Sequence, residues 1–214
     1  RIYEEARQVP GIKHCFIGSG IRYDLCLSDT GNKEVDKTNR RYLETVIRHH
    51  VSGRFKVAPE HCSPTVLGLM RKPAFGLFQQ LKSIFDEINR KHRLNEQIIP
   101  YFISSHPGCR PEDMAELAVA TKALDFKLEQ VQDFTPTPMT VATTIYYSGY
   151  HPYSLQKIDT AKSEKEKKQQ NMFFFWYKRE FREQIMTLLR RMHPSGGSNP
   201  EIIWKRERKI ESMF

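Results

Sequence analysis

The 214 residues of this chain, 39% hydrophobic and 28% charged, suffice for one ordinary domain with an appendage and for a core to hold it. No apolar run reaches the roughly 18–20 residues of a membrane span, and the charged opening Arg1-Ile2-Tyr3-Glu4-Glu5 lacks the apolar stretch of a signal peptide, so a cytoplasmic protein without a membrane partner is expected. The net charge of +9 is uneven: 20 Lys/Arg stand against 17 Asp/Glu in residues 1–150 and 14 against 8 in residues 151–214, which suits either an acidic partner of the last third or a solvated tail.

The opening residues read as the end of a helix closed by Pro10-Gly11, and without an initiator Met the chain is expected to begin within a larger unit. Cys15, Cys26, Cys62 and Cys109 are irregularly spaced with no close pair, which argues against a zinc ribbon or a disulfide framework and for buried, reduced thiols. A short apolar run, Lys13 to Gly18, predicts a first strand, with a helix from about Asn39 to Val51 after it. Arg54 to Ala58 predicts a second strand. Its helix carries Phe78, Leu81, Phe85 and Ile88 on one face, with Pro73 at or before its start. Ile98 to Ile103 predicts a third strand, followed by a helix opening at Pro111-Glu112-Asp113, where acids favour the positive helix end. Its buried face comprises Met114, Leu117, Ala118 and Leu124. Leu128 to Phe134 predicts a fourth strand.

Such alternation implies about four βα units and a parallel sheet. Beyond residue 152 the pattern changes. Asp159 to Gln170, nearly all Lys, Glu and Gln, reads as a solvated helix start or a flexible linker. Met172 to Tyr177, continued by Phe181, Ile185, Leu188 and Met192 at helical spacing, predicts the first turns of a long helix. The breakers Pro194 to Pro200 end it, and Glu201 to Phe214 reads as a short basic helix or a disordered end.

Ligands of parallel α/β folds bind at the carboxyl ends of the strands. Those ends carry Gly18-Ser19-Gly20-Ile21-Arg22, Glu60-His61-Cys62-Ser63, Ser104-Ser105-His106-Pro107-Gly108-Cys109 and Thr135 to Thr140, all small, polar or titratable, whereas Gly11-Ile12 and Glu96-Gln97 at the opposite ends are bland. A cleft on one face of the sheet is expected, with ordinary turn chemistry as the alternative. His61 and His106, each accompanied by a cysteine, Cys62 or Cys109, and all four candidates to face the substrate, are read as proton carriers or metal ligands, with hydrogen-bonding loop residues as the plainer alternative. No third ligand stands at i,i+4 spacing, so no metal ligand is assigned to this chain.

The stretches GRFKVAPEHCSPTVLGLMRKP (53–73), IPYFISSHPGCRPEDMAELA (99–118) and DFTPTPMTVATTIYYSGYHPY (133–153) closely resemble the YgiQ-type branch of the radical S-adenosylmethionine (SAM) superfamily, and more distantly its methylthiotransferase branch. The resemblance implies the C-terminal part of a partial, TIM-like (βα)6 barrel over residues 1–152 and a mostly helical, basic extension over 153–214. It implies a parent enzyme that holds SAM and a [4Fe–4S] cluster and cleaves SAM to a 5′-deoxyadenosyl radical, with a substrate that the resemblance does not specify. This chain has no CxxxCxxC motif, so the cluster is expected on the N-terminal part of the same protein. By position, the resemblance assigns SAM contacts to Ser19, Arg22, Glu60, Ser63, Ile103, Ser105, Phe134 and Thr135. Within these, Arg22 would pair with the carboxylate and Glu60 would accept from the ribose diol. Ile103 would underlie the adenine, and Phe134-Thr135 would meet its edge.

A second reading makes the extension a nucleic-acid-binding module. Phe173 to Tyr177 and Trp204 would stack on bases, while Lys178, Arg179, Arg182, Arg190, Arg191, Lys205 and Arg206 neutralise phosphates. A third makes it a lid or docking element for the barrel's open face. Aromatics in helical register are also what an ordinary core contains.

Overall fold

A computed structural model describes residues 2–192. Its contacts divide the chain into two compact units, Arg1–Phe102 and Ile103–Phe214. The fold is mixed α/β, with a small open parallel sheet of three strands in the order β1-β2-β3 and many helices.

The first unit holds α1 (Ile2–Gln8), α2 (Tyr23–Leu27), α3 (Lys33–His49), β1 (Arg54–Glu60), α4 (Pro64–Met70), α5 (Phe75–His92) and most of β2 (Gln97–Ser104). Asn32 starts α3, its side-chain oxygen accepting from the N–H groups of Glu34 and Val35 at 3.0 and 3.3 Å. Leu43, Val46 and Ile47 of α3 and Phe78, Leu81, Phe85 and Ile88 of α5 are buried, each set at spacings of three and four that define one helix face. Along β1 and β2 burial alternates, as the two-residue strand period requires. Phe55 of β1 stacks on Phe85 with ring centroids 5.4 Å apart, and Phe102 of β2 meets Phe78 edge-on at 6.4 Å. Each such burial removes apolar surface worth about 1.5–3 kcal/mol, which fixes β1, α5 and β2 as one core. β1 and β2 pair in parallel, Arg54 opposite Gln97 through Val57 opposite Pro100. This is the arrangement expected from strand–helix–strand alternation.

The predicted strand over residues 13–18 does not form. Ile17 donates its N–H to the His50 carbonyl at 2.9 Å, and Ile21 donates to the Lys56 carbonyl at 3.3 Å. These bonds reach different elements and so build no ladder. The apolar run is too short, and is followed too soon by Gly18 and Gly20, to present a continuous paired face. The sheet thus has three strands where four were expected.

The second unit holds the last residues of β2, α6 (Pro111–Ala123), β3 (Gln130–Asp133), α7 (Val141–Ser148), α8 (Glu164–Asn171), a 3-10 turn (Met172–Phe175) and α9 (Arg179–Met192). The charged stretch from Asp159 becomes a helix start. Ser163 accepts from the Glu166 N–H, and the Glu166 carboxylate accepts in return from the Ser163 N–H, a reciprocal cap. The aromatic run is not the beginning of α9. Met172, Phe173 and Phe174 are all buried, and three consecutive residues cannot share one α-helical face. The chain tightens into the 3-10 turn, Lys178 donates to the Phe175 carbonyl at 2.8 Å, and helix resumes at Arg179. The breakers Pro194 to Pro200 and the basic segment with Trp204, Lys205 and Arg206 lie outside the described residues.

Candidate functional site

The sequence-derived candidates divide between the units. Ser19, Arg22, Glu60, His61, Cys62 and Ser63 lie in the first, and Ile103, Ser105, His106, Cys109, Phe134 and Thr135 in the second.

In the first unit the site is built where β1 ends. Pro59 has no N–H to give the ladder, and the pairing register slips between Val57 and Glu60. Glu60 itself adopts φ +65°. A left-handed conformation costs a non-glycine residue about 1–2 kcal/mol, and such strain gathers at functional sites. The Glu60 carboxylate lies 3.1 Å from the ammonium of Lys72, with both side chains partly open to solvent. His61 is fully buried, and its Nδ1 accepts from the Ser63 N–H at 3.0 Å, satisfying a donor at the start of α4. Ser63 is buried at the helix cap without a side-chain capping bond, and Cys62 is half-buried.

Arg22 forks onto Asp24 at 2.8 and 2.6 Å on the surface, and Ser19 is exposed. That hydrogen bond from Arg22 holds the Asp24 carboxyl below its usual range, against a smaller opposing effect of burial. Between them sits Tyr23, buried against Phe78. Burial chiefly, then the charges of Asp24 and Glu60, push its phenol well above the ordinary value. One buried phenol therefore senses both Glu60 and the carboxylate that Arg22 grips. Tyr23 and Lys72 escaped sequence reasoning, although Tyr23 stands between two residues of opposite charge.

In the second unit the site is built where β2 and β3 end. Ser104 donates its hydroxyl to the Asp133 carboxylate, and Phe134 donates its N–H to the Ser104 carbonyl at 2.8 Å. Ser105 is fully buried at φ +60°, and its hydroxyl has no hydrogen-bond partner among the described residues. The turn after it closes with Cys109 donating to the His106 carbonyl at 2.8 Å and Gly108 at φ +82°, where a side chain would be strained. His106 is buried edge-on to Phe134, centroids 5.0 Å apart, with Nδ1 2.9 Å from the Pro107 carbonyl. Ile103 is half-buried and Thr135 exposed. Gln170 of α8, not singled out from sequence, hydrogen-bonds both ends of this turn. A cavity of about 310 Å³ opens beside it, lined by Cys109, Arg110, Asp159 and Gln170 among others.

Burial pushes the His106 imidazole below its ordinary value near 6.5, and the bond with the Pro107 carbonyl opposes this only in part. The folded chain therefore binds this proton less readily than the unfolded one. The stability that neutral His106 confers is full above about pH 6.5 and is lost as pH falls below it toward the depressed folded value. Urea denaturation at pH 8.0 and pH 5.5 should show this loss, and His106→Asn should reduce it. Equal losses in both proteins would mean that other groups carry the pH dependence.

A groove of about 650 Å³ runs between α8 and α9, with Lys165, Lys168, Arg191 and Glu183 around Met172 and Leu188. Among the described residues no three His, Cys, Asp or Glu side chains converge as a metal site would require, and no helix is long and apolar enough to cross a membrane.

Residues 129–192 match the family model described as a domain of unknown function (DUF3362). A UPF0313 protein of Bacteroides thetaiotaomicron is 58% identical over 191 residues, 89% of this chain and 31% of that protein. One of Porphyromonas gingivalis is 57% identical over 196 residues, 92% of this chain and 30% of the relative. An archaeal one, from Methanocella arvoryzae, is 44% identical over 167 residues, covering 78% and 26%. The chain spans less than a third of the length of these curated relatives. Over most of its own length it is thus similar to part of the much longer UPF0313 proteins, and residues 129–192 are similar to DUF3362.

Proposed function

We propose that this chain forms part of the SAM-binding side of a longer YgiQ-type radical SAM enzyme. UPF0313 is the YgiQ-type family, so the relatives' names agree with the resemblance of residues 53–73, 99–118 and 133–153. The observation that carries the reading is backbone strain at the places the resemblance selects. Glu60 ends β1 at φ +65° and Ser105 follows β2 at φ +60°, both non-glycine and both at the carboxyl side of a parallel strand. Of the other left-handed non-glycine residues, Arg71 and Arg93 are helix C-caps, Asp125 follows the end of α6, and Met139 and Leu155 lie in loops away from a strand end.

SAM, when bound, supplies the reactive adenosyl and methionyl groups, and the residues here bind and orient. Glu60 accepts from the ribose hydroxyls, with Lys72 holding its carboxylate in place. Considered by itself, the second unit carries the Ser105 hydroxyl, buried and without a partner among the described residues, beside the buried ring of Phe134. Arg22 fits less well, because Asp24 already occupies its fork. The scattered cysteines 15, 26, 62 and 109 do not fit a [4Fe–4S] ligand set, and on this reading its ligands lie elsewhere in the longer protein.

The test is SAM binding by the full-length protein, prepared anaerobically with its cluster reconstituted. Glu60→Ala is expected to weaken it by about 1–3 kcal/mol, roughly 5- to 150-fold. A wild-type protein that neither binds nor cleaves SAM would overturn the reading. Unchanged affinity in the variant would remove Glu60 from the ribose contact.

A second reading, a polyanion-binding extension, rests on the groove between α8 and α9, where three cations face one acid. Its stacking aromatics fit poorly, because Phe173 and Phe174 are buried.

A further inference from the structure

The first turns of α8 are solvated Lys and Glu, and the buried residue of the helix is Gln170, with 3% of its surface exposed. A buried primary amide is costly unless both its ends are bonded. Here both are: Oε1 accepts from the Ser105 N–H at 2.8 Å, and Nε2 donates to the Cys109 carbonyl at 2.8 Å. One side chain therefore bridges the first and last residues of the turn that follows β2, from 65 and 61 positions along the chain. Asn171, the next residue, donates to the Asp133 carboxylate at 3.1 Å, the same carboxylate that Ser104 engages. Consecutive side chains at the end of α8 thus hold the ends of β2 and β3. The Ser105 backbone is strained, and the bond from its N–H to Gln170 is one of the contacts that keep it so.

We propose that Gln170 is a positioning residue that holds the Ser105–Cys109 turn in its SAM-binding shape, so that the segment matching DUF3362 completes the cofactor site instead of forming a separate module. This rests on the reading of Ser105 and Phe134 as facing SAM. Gln170 does not touch the cofactor. It presets the turn that does, and the hydroxyl of Ser105 is left for the ligand while its N–H is taken.

The chemistry of the clamp supplies its own control. Leucine is apolar, of comparable bulk though one atom shorter, and makes neither bond. Ionised glutamate accepts from Ser105 but sets an oxygen against the Cys109 carbonyl, whereas protonated glutamate both accepts and donates as glutamine does. In the full-length, cluster-loaded protein, Gln170→Leu should raise the Kd for SAM at least tenfold while the rate of SAM cleavage at saturation stays near wild type. Gln170→Glu should bind SAM with near wild-type affinity at low pH and lose it as pH rises, with wild type measured in parallel over the same range. Hydrogen exchange at the Ser105 amide should quicken in the leucine variant. If that variant fails to fold, the pH profile of the glutamate variant decides: a profile that tracks wild type overturns the proposal, as does unchanged SAM affinity in a folded Gln170→Leu. A wild-type protein that binds no SAM also overturns it, and is told apart because the failure then precedes any substitution.

Discussion

Phe173→Ala is expected to destabilise the second unit by about 3–5 kcal/mol, which is about a fifth or more of what holds a typical domain folded. Phe173 is fully buried in the 3-10 turn, and that turn packs against α6, α8 and α9. Removing the ring deletes its transfer energy and leaves a cavity that three helices cannot all move to fill. Phe173→Leu keeps most of the volume and should cost much less. Tyr177 is half-exposed, and Tyr177→Phe, which keeps its ring, should change stability little. Urea denaturation followed by far-UV circular dichroism measures all three. The same variant separates the two uses of the aromatic run. A base-stacking Phe173 would lose affinity for single-stranded RNA on substitution with little change in stability, whereas a core Phe173 loses stability first. A cost below about 1 kcal/mol would contradict the packing role.

Much of this core was legible because burial follows period. Phe78, Leu81, Phe85 and Ile88, and Met114, Leu117 and Ala118, are buried as their three- and four-residue spacing predicts, whereas Leu124, expected on the same face, is half-buried at the C-cap of α6. The strand β3 falls within the predicted segment 128–134, while β1 runs two residues past the predicted 54–58 and β2 one residue past 98–103 at each end. Lys13 to Gly18 failed because an apolar run marks a strand only when a neighbour supplies a ladder, and here the Ile17 N–H goes to the His50 carbonyl at the end of α3. The run from Met172 to Tyr177 misled for a related reason. Its later residues, Phe181 and Ile185, do follow helical spacing, but Met172, Phe173 and Phe174 form a 3-10 turn and are all buried because α6, α8 and α9 pack around it, which spacing along the sequence does not reveal.

The site was legible in part. The candidates near strand ends include two of the non-glycine residues held at positive φ, Glu60 and Ser105. Their partners were not legible, because Lys72 and Gln170 carry no local signature and look like the solvated residues around them. A glutamine in a run of Lys and Glu declares itself only when the fold buries it. The burial of His61 and His106 was also hidden, since a histidine in a loop sequence gives no sign of whether its ring faces solvent or core.

Ser105 joins the fold to the proposed function most directly, and two substitutions there should move stability in opposite directions. Ser105→Val is expected to cost about 2–4 kcal/mol, because a β-branched side chain must take a left-handed backbone and fit a fully buried position. Ser105→Gly should do the reverse. Glycine adopts φ +60° freely, and the substitution removes a buried hydroxyl that lacks a partner among the described residues. Against this stands the greater freedom of glycine in the unfolded chain, so a net gain of about 0.5–1 kcal/mol is expected. The backbone N–H that Gln170 accepts from remains in both variants. If serine is retained at this position for its hydroxyl, the glycine variant of the full-length protein should be more stable than wild type and bind SAM more weakly. Denaturation midpoints and SAM titration, measured on one preparation, read the two signs together. A glycine variant that is less stable than wild type would mean that the hydroxyl supports the fold, and one that binds SAM as tightly would remove Ser105 from the site.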